Sequence, residues 1–137
     1  MAIPLINQTV LMSGVDYFSD DQPINPYMSQ QSPINRELAA QEHSAIAAAL
    51  TEAGVKIIKV APPTDCQDGV YTANWALVRG DKAVMASLPA ARSAEEAYAR
   101  QVLTEMGKTI YHVPEGVHYS GQGDSLPCGD YLLAGSG

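Results

Sequence analysis

The chain of 137 residues has little cysteine. Its two cysteines, Cys66 and Cys128, are too few for a disulfide framework. They also lack the Cys-x-x-Cys or Cys/His spacing that binds zinc. We therefore expect two thiols in a reducing, cytoplasmic compartment and no metal site.

Basic residues and long apolar runs are also scarce. Lys and Arg number 8 against 15 Asp and Glu, a net charge of −7. Because nucleic-acid binding depends on basic side chains that neutralise phosphates, we do not expect a nucleic-acid partner. No apolar run reaches the roughly 18 residues of a membrane span, and residues 1–12 carry no Lys or Arg ahead of their apolar stretch. With 46% hydrophobic residues, a soluble globular protein that contacts no membrane is expected.

Two helices are predicted from residues at helical spacing. The first lies between Ser32 and a glycine cap at Gly54. The second opens at Ser93, which stands three residues before Glu96 as in a capping box, and ends at Gly107. The residues on which this spacing rests are Leu38, Glu42, Ile46, Leu50 and Ala53 in the first helix and Ala94, Tyr98, Val102 and Met106 in the second.

Four strands are predicted where β-branched and other apolar residues cluster between turn residues. They are Val55–Ala61, Val70–Val78, Ala83–Leu88 and Lys108–Val113. The second and third flank Gly80 and Asp81, which predicts a β-hairpin.

The chain is similar to itself at a spacing of 53 residues. LTEAGVKIIKVAPP from Leu50 aligns with LTEMGKTIYHVPEG from Leu103, and both segments read as a helix end, a glycine cap, a strand and a proline stop. This predicts a ββαβ repeat with units 1–61, 62–114 and 115–137. The alternative is that helix–Gly–strand junctions look alike in any α/β protein.

Beyond the prolines the two copies match more loosely. CQDGVYTANWALVRGD from Cys66 pairs with SGQGDSLPCGDYLLAGSG from Ser120, which gives Leu132–Leu133 the place of Leu77–Val78. In that alignment the chain stops at Gly137 inside a turn, so residues 1–137 are expected to form one incomplete domain. A strand carrying Tyr131 would then lack its partner and could self-associate through its open edge.

Three polar clusters are candidate sites. VDYFSDDQPINPYM, residues 15–28, is an acidic, aromatic loop that suits a cationic ligand, or else a solvated loop. DGVYTAN, residues 68–74, places Asn74 inside an apolar strand, where its amide needs partners, so a site and a structural role are both open. SGQGDSLPCGD, residues 120–130, has glycines that allow a close backbone approach around Asp124, or else forms a simple turn.

Taken in order, these segments resemble the N-terminal half of the amidinotransferase and dimethylarginine dimethylaminohydrolase family. The resemblance is carried by YFSDDQPINPYM, EHSAIAAALTEAGVKI, CQDGVYTANWALVRGDKAVMASLP and SGQGDSLPCGDYLLAGSG. Members of the family are guanidino-modifying enzymes of the pentein fold. The resemblance implies an α/β propeller of five ββαβ units, of which this chain holds about two and a half. It also implies an enzyme without a metal or organic cofactor.

The implied activity is dimethylargininase-like hydrolysis of a guanidino C–N bond, with amidinotransfer as the alternative. In the family a cysteine thiolate attacks the guanidinium carbon, a histidine assists the leaving amine, and the thiouronium intermediate is hydrolysed or transferred. The expected ligand is a small, cationic, guanidino or amino-acid-like molecule. No cysteine or histidine here matches the family's nucleophile or acid, so this chain alone is expected to be inactive. A non-catalytic binding module and the product of an interrupted gene are the other readings.

The resemblance also assigns individual residues. Phe18, Asp68, Asn74 and Arg92 are the expected substrate-binding residues, and Asp124 is expected to orient the catalytic histidine. Two positions depart from dimethylarginine hydrolases, which have glutamate at Ala73 and aspartate at Asn74. Ser120 stands where many members have glutamate. Because these changes remove charge-assisted bonds to a guanidinium, they leave the exact substrate open.

Overall fold

The computed structural model describes residues 7–28 and 33–135. Ser32, at which the first helix was expected to open, lies outside these ranges, as do Gly137 and residues 1–6. The chain divides into two compact units, Met1–Val70 and Tyr71–Gly137. None of the helices in the described ranges is both long and apolar enough to cross a membrane.

The first unit is a βαβ element. Strands β1 (Thr9–Ser13) and β2 (Lys56–Val60) pair in parallel, and helix α1 (Arg36–Glu52) connects them. Parallel strands need such a crossover. The Asn35 side chain caps α1 by accepting the Leu38 N–H at 3.0 Å, and the helix ends before Gly54, whose φ is 83°. The predicted helix, glycine cap and strand are confirmed.

The residues that predicted α1 do not form its buried face. Leu38 and Ile46 are 48% and 55% exposed, whereas Ala47 is buried. A sheet of two strands covers only a narrow stripe of a helix, and the short alanine side chain lies in that stripe. Helical spacing therefore located the helix correctly but misplaced its inner face.

The second unit contains the predicted ββαβ element and a further hairpin. Its elements are β3 (Ala76–Arg79), β4 (Lys82–Met85), α2 (Ala94–Glu105), β5 (Thr109–His112), β6 (Ser125–Cys128) and β7 (Tyr131–Ala134). The order β3-β4-β5 forms one sheet, with β3 antiparallel and β5 parallel to β4. β6 and β7 form a separate antiparallel pair. The predicted hairpin across Gly80 and Asp81 is confirmed.

The predicted strand Val70–Val78 is too long at its start. Thr72–Asn74 is a 3₁₀ turn, and β3 begins only at Ala76. The Asn74 N–H binds the Tyr71 carbonyl at 3.0 Å and the Trp75 N–H binds the Thr72 carbonyl at 3.1 Å. These local bonds occupy backbone groups that a strand would offer to its neighbour, as Thr and Asn favour in turns.

The predicted capping box of α2 is wrong. Ser93 has helical backbone angles and donates its hydroxyl to the Ala90 carbonyl at 2.9 Å, while Glu96 accepts the Leu88 N–H at 2.7 Å. A 3₁₀ turn at Ala90–Arg92 leads straight into the helix, so Ser93 precedes α2 without capping it through its side chain. The buried residues of α2 are Glu95, Ala99, Val102 and Leu103, of which only Val102 belongs to the predicted face.

The third repeat contains the strand that was expected to be missing. Its 3₁₀ turn, β6 and β7 follow those of the second repeat at a spacing of 49 residues, as Ala76 and Ser125 illustrate. Leu132–Leu133 therefore corresponds to Ala83–Val84, not to Leu77–Val78. The spacing of 53 holds between β2 and β5, as Lys56 and Thr109 show. Counted from the first residue of a repeat's last strand to the first residue of the next 3₁₀ turn, the spacing is four residues shorter the second time.

Candidate functional site

A buried ion pair lies at the start of α2. Arg92, in the 3₁₀ turn, donates Nε to Oε1 of Glu95 at 2.8 Å and Nη2 to Oε2 at 2.7 Å. Arg92 is 7% exposed and Glu95 is 1% exposed. Buried charges persist when they are paired and hydrogen-bonded, and this forked geometry supplies both.

The Trp75 side chain provides a third hydrogen-bond donor to the Glu95 carboxylate. Its Nε1 donates to Oε2 of Glu95 at 3.2 Å. The indole is 1% exposed and meets the Tyr98 ring edge-on, with centroids 5.8 Å apart. Both oxygens of Glu95 are thus bound by donors, and its position is fixed by the core of this unit.

Asn74 connects Arg92 to the third repeat. Arg92 Nη1 donates to Asn74 Oδ1 at 3.1 Å, and Asn74 Nδ2 donates to the Ser120 carbonyl at 3.3 Å. A guanidinium can only donate and a carbonyl can only accept, so these two neighbours determine which end of the amide faces which. An aspartate at this position would have no hydrogen to give Ser120.

The glycines of the third repeat permit a close approach, as predicted, and the approach is to Ala76 and Asn74. A Cβ on Gly121 would lie 2.8 Å from backbone atoms of Ala76, and one on Gly123 would lie 2.5 Å from Asn74 Nδ2. Gly121 also has a φ of 58°. The two 3₁₀ turns therefore pack against each other at a distance that only glycine allows.

Asp124 binds the backbone of the same residue as Asn74 does, Ser120. Its Oδ2 accepts the Ser120 N–H at 2.7 Å, while Asn74 binds the Ser120 carbonyl. Asp124 itself is exposed. The structure thus brings Asn74, Arg92 and Asp124 to a shared network in the second unit, and the histidine-orienting role of Asp124 stays a prediction.

Phe18 and Asp68 belong to the first unit. Asp68 is 5% exposed and accepts a bond from Gln67 Nε2 at 3.3 Å. The Gln67 amide also forms two bonds with the backbone of Gln22, at 2.9 and 2.7 Å. Phe18 is half-buried. The substrate-binding roles of Phe18 and Asp68 stay predictions.

In the part of the chain that the structure describes, no three or more His, Cys, Asp or Glu side chains are grouped so that they could hold a metal ion. Cys66 and Cys128 are not joined in a disulfide. His112 is exposed on β5. His43 is half-buried in α1.

Sequence reasoning missed Glu95 and Gln67. Glu96 fits the capping pattern in the sequence, whereas its neighbour Glu95 is the buried acid. A signal existed, since Arg92 and Glu95 stand three residues apart at a helix start, a spacing that brings opposite charges together. No comparable pattern marks Gln67, whose partner Gln22 is 45 residues away.

The second unit is an α/β domain in which one ββαβ element is joined to a further hairpin through the network around Asn74. The chain belongs to the family described as "N,N dimethylarginine dimethylhydrolase, eukaryotic", which matches residues 17–133. The resemblance drawn from its motifs is therefore confirmed.

Curated relatives are guanidino-modifying enzymes. The chain is 32% identical over 131 residues to the bifunctional arginine dihydrolase/ornithine cyclodeaminase AgrE of Nostoc sp. (strain PCC 7120), covering 93% of this chain and 18% of AgrE. It is 30% identical over 131 residues to the N(G),N(G)-dimethylarginine dimethylaminohydrolase of Mycobacterium tuberculosis, covering 92% of this chain and 41% of that enzyme. The chain thus spans less than half the length of either relative.

Solved structures agree with this assignment. The N-terminal domain of ArgZ, an arginine dihydrolase from the ornithine-ammonia cycle in cyanobacteria, was solved with product bound. It matches with a TM-score of 0.86 and 30% identity, over 94% of this chain and 48% of that domain. A dimethylarginine dimethylaminohydrolase adduct matches with a TM-score of 0.76 at 16% identity, which shows the shared fold alone.

Proposed function

We propose that the protein is a guanidino C–N hydrolase that acts on arginine in preference to dimethylarginine. The observation that carries this proposal is the neutral Asn74 amide, held between Arg92 and Ser120. Dimethylarginine hydrolases, by the sequence resemblance, have an aspartate at this position. The relatives AgrE and ArgZ, at 32% and 30% identity, are named arginine dihydrolases.

The hydrogen-bonding capacity of the two substrates supports this preference. An amide oxygen has two lone pairs, and Arg92 takes one of those on Asn74 Oδ1. An unmethylated guanidinium nitrogen can donate to the other lone pair, whereas a dimethylated nitrogen has no hydrogen to give. The neutral Asn74 oxygen therefore favours arginine, because arginine has a hydrogen to donate to it. It lacks the ionic attraction that two carboxylates would add.

The remaining roles follow the family. Asp68 and Phe18 are proposed to contact the substrate, Arg92 to bind its carboxylate, and Asp124 to orient a histidine. No residue among the 137 is assigned as the nucleophile or the general acid. We also propose that the complete fold is a five-unit propeller to which this chain contributes about two and a half units, and that the enzyme works in the cytoplasm without a cofactor.

The test measures the products released by the protein at its natural length. Hydrolysis at the guanidinium carbon forms a C–O bond, breaks a C–N bond, and releases ammonia from arginine or dimethylamine from dimethylarginine. We expect kcat/KM for arginine to exceed that for dimethylarginine. Faster release of dimethylamine would contradict the proposed preference, and amidine transfer to an added amine without ammonia release would indicate an amidinotransferase.

A non-catalytic, self-associating module is the second candidate. It is favoured by the exposed apolar residues of the last hairpin, which are Leu126, Tyr131, Leu132 and Leu133, with exposures of 51%, 74%, 50% and 61%. Activity of the natural-length protein on any guanidino compound would count against this candidate.

A further inference from the structure

We propose that Glu95 is a positioning residue for the Asn74 amide and acts on it through Arg92. This inference deepens the proposed function and rests on it only where substrate turnover is concerned. Glu95 itself is 1% exposed and lies behind Arg92, so it is not proposed to touch the substrate.

The first step is the fixing of Arg92. A guanidinium is planar, and when one carboxylate binds it at Nε and Nη2 the two parallel hydrogen bonds hold that plane against rotation about the Cδ–Nε bond. The Trp75 indole fixes that carboxylate from behind. Arg92 Nη1 is therefore aimed at one place, which Asn74 Oδ1 occupies.

The second step is the orientation of the amide. If the Asn74 side chain rotated by half a turn, its NH₂ would face the Arg92 guanidinium and its oxygen would face the Ser120 carbonyl. The first pairing sets a donor against donors and the second an acceptor against an acceptor, so neither forms a hydrogen bond. Gly123 lies so close that even a methyl group on it would collide with Nδ2, so the amide has little room to shift instead. The orientation of Asn74 is thus controlled from Glu95, two hydrogen bonds away.

The substitution that tests this is Glu95→Gln, with Glu96→Gln as the matched control. Both exchange a carboxylate for an amide of equal size in the first turn of α2. Glu96 accepts the Leu88 N–H at 2.7 Å and lies outside the fork between Arg92 and Glu95. Glu95→Gln leaves one acceptor oxygen for three donors, so the fork with Arg92 is broken.

One measurement does not need substrate. In the natural-length protein labelled with ¹⁵N-asparagine, the Asn74 side-chain NH₂ signal is identified by its loss in Asn74→Ala. We expect Glu95→Gln to speed hydrogen exchange of that NH₂ roughly tenfold and to move its chemical shift, and Glu96→Gln to do neither. Unchanged signals in folded Glu95→Gln would overturn the inference, whether or not the protein hydrolyses arginine.

The second measurement uses arginine hydrolysis and a double-mutant cycle. We expect Glu95→Gln to lower kcat/KM roughly tenfold in the wild-type background and far less in the Asn74→Ala background, since coupled residues are non-additive. Equal losses in the two backgrounds would mean that Glu95 only supports the fold. If Glu95→Gln does not fold, Arg92→Lys, which cannot form the fork, must produce the same change in the Asn74 signal; an unaltered signal would again overturn the inference.

Discussion

Individual side chains connect the second and third repeats. The Asn74 amide donates to the Ser120 carbonyl, and the Gln122 amide oxygen accepts the Val78 N–H. Gly121 and Gly123 allow the two 3₁₀ turns to pack closely. The importance of Asn74 was predictable, because an amide in an apolar stretch needs partners. The identity of its partners was not, since Ser120 lies 46 residues away and the ion pair that orients the amide depends on packing around Trp75.

Gly121→Ala is predicted to destabilise the second unit by about 3 kcal/mol, because a methyl group would meet the Ala76 backbone and the φ of 58° strains any residue with a Cβ. Gly129→Ala is the control, with a φ of 57° and open space around it, and should cost only about 1 kcal/mol. Urea unfolding of the two variants gives the comparison. Equal losses would show that the close approach contributes nothing.

Helices and strands were predictable where local chemistry determines them. Gly54 and Gly107 both have a positive φ directly after a helix, as their positions after apolar spacing indicated. The errors arose where one element meets another. The Thr72–Asn74 turn breaks a run that reads as a strand, and the Ala90–Arg92 turn merges with α2 and removes the expected cap.

The two helix starts are expected to respond differently to alanine. Asn35→Ala removes the side-chain bond to the Leu38 N–H and should lower the free energy of unfolding by about 1 kcal/mol. Ser93→Ala removes no capping bond and should cost less, roughly 0.5 kcal/mol or below. The measurement is chemical denaturation at one protein concentration. A larger loss for Ser93→Ala would restore the capping box that the structure rejects.

At the scale of the whole chain, the last hairpin leaves an apolar strand uncovered. In the second repeat, β4 pairs with β5 and Ala83 is fully buried, whereas its counterpart Leu132 in β7 is 50% exposed. Within the described residues, β7 pairs only with β6. Open apolar edges favour pairing with another chain, which supports self-association as a prediction for the isolated 137 residues.

Sedimentation of the 137-residue chain tests that prediction. We expect concentration-dependent association that strengthens with salt, because a net charge of −7 repels like copies and salt screens the repulsion. The double substitution Leu132→Lys and Leu133→Lys should give monomers. Leu38→Lys, at a similarly exposed position on a helix, should not. Association that survives the double substitution would point to a different surface.

The two spacings, 53 and 49 residues, differ because the elements of the repeats are alike and the connections between them are not. The strands and turns are repeated, while the longer first connection, residues 61–71, holds Gln67, the buried Asp68 and Asp65 with its φ of 56°. A designer who made the units identical by adopting the shorter connection would have to remove residues from the segment that holds Asp68, the acid proposed to recognise substrate.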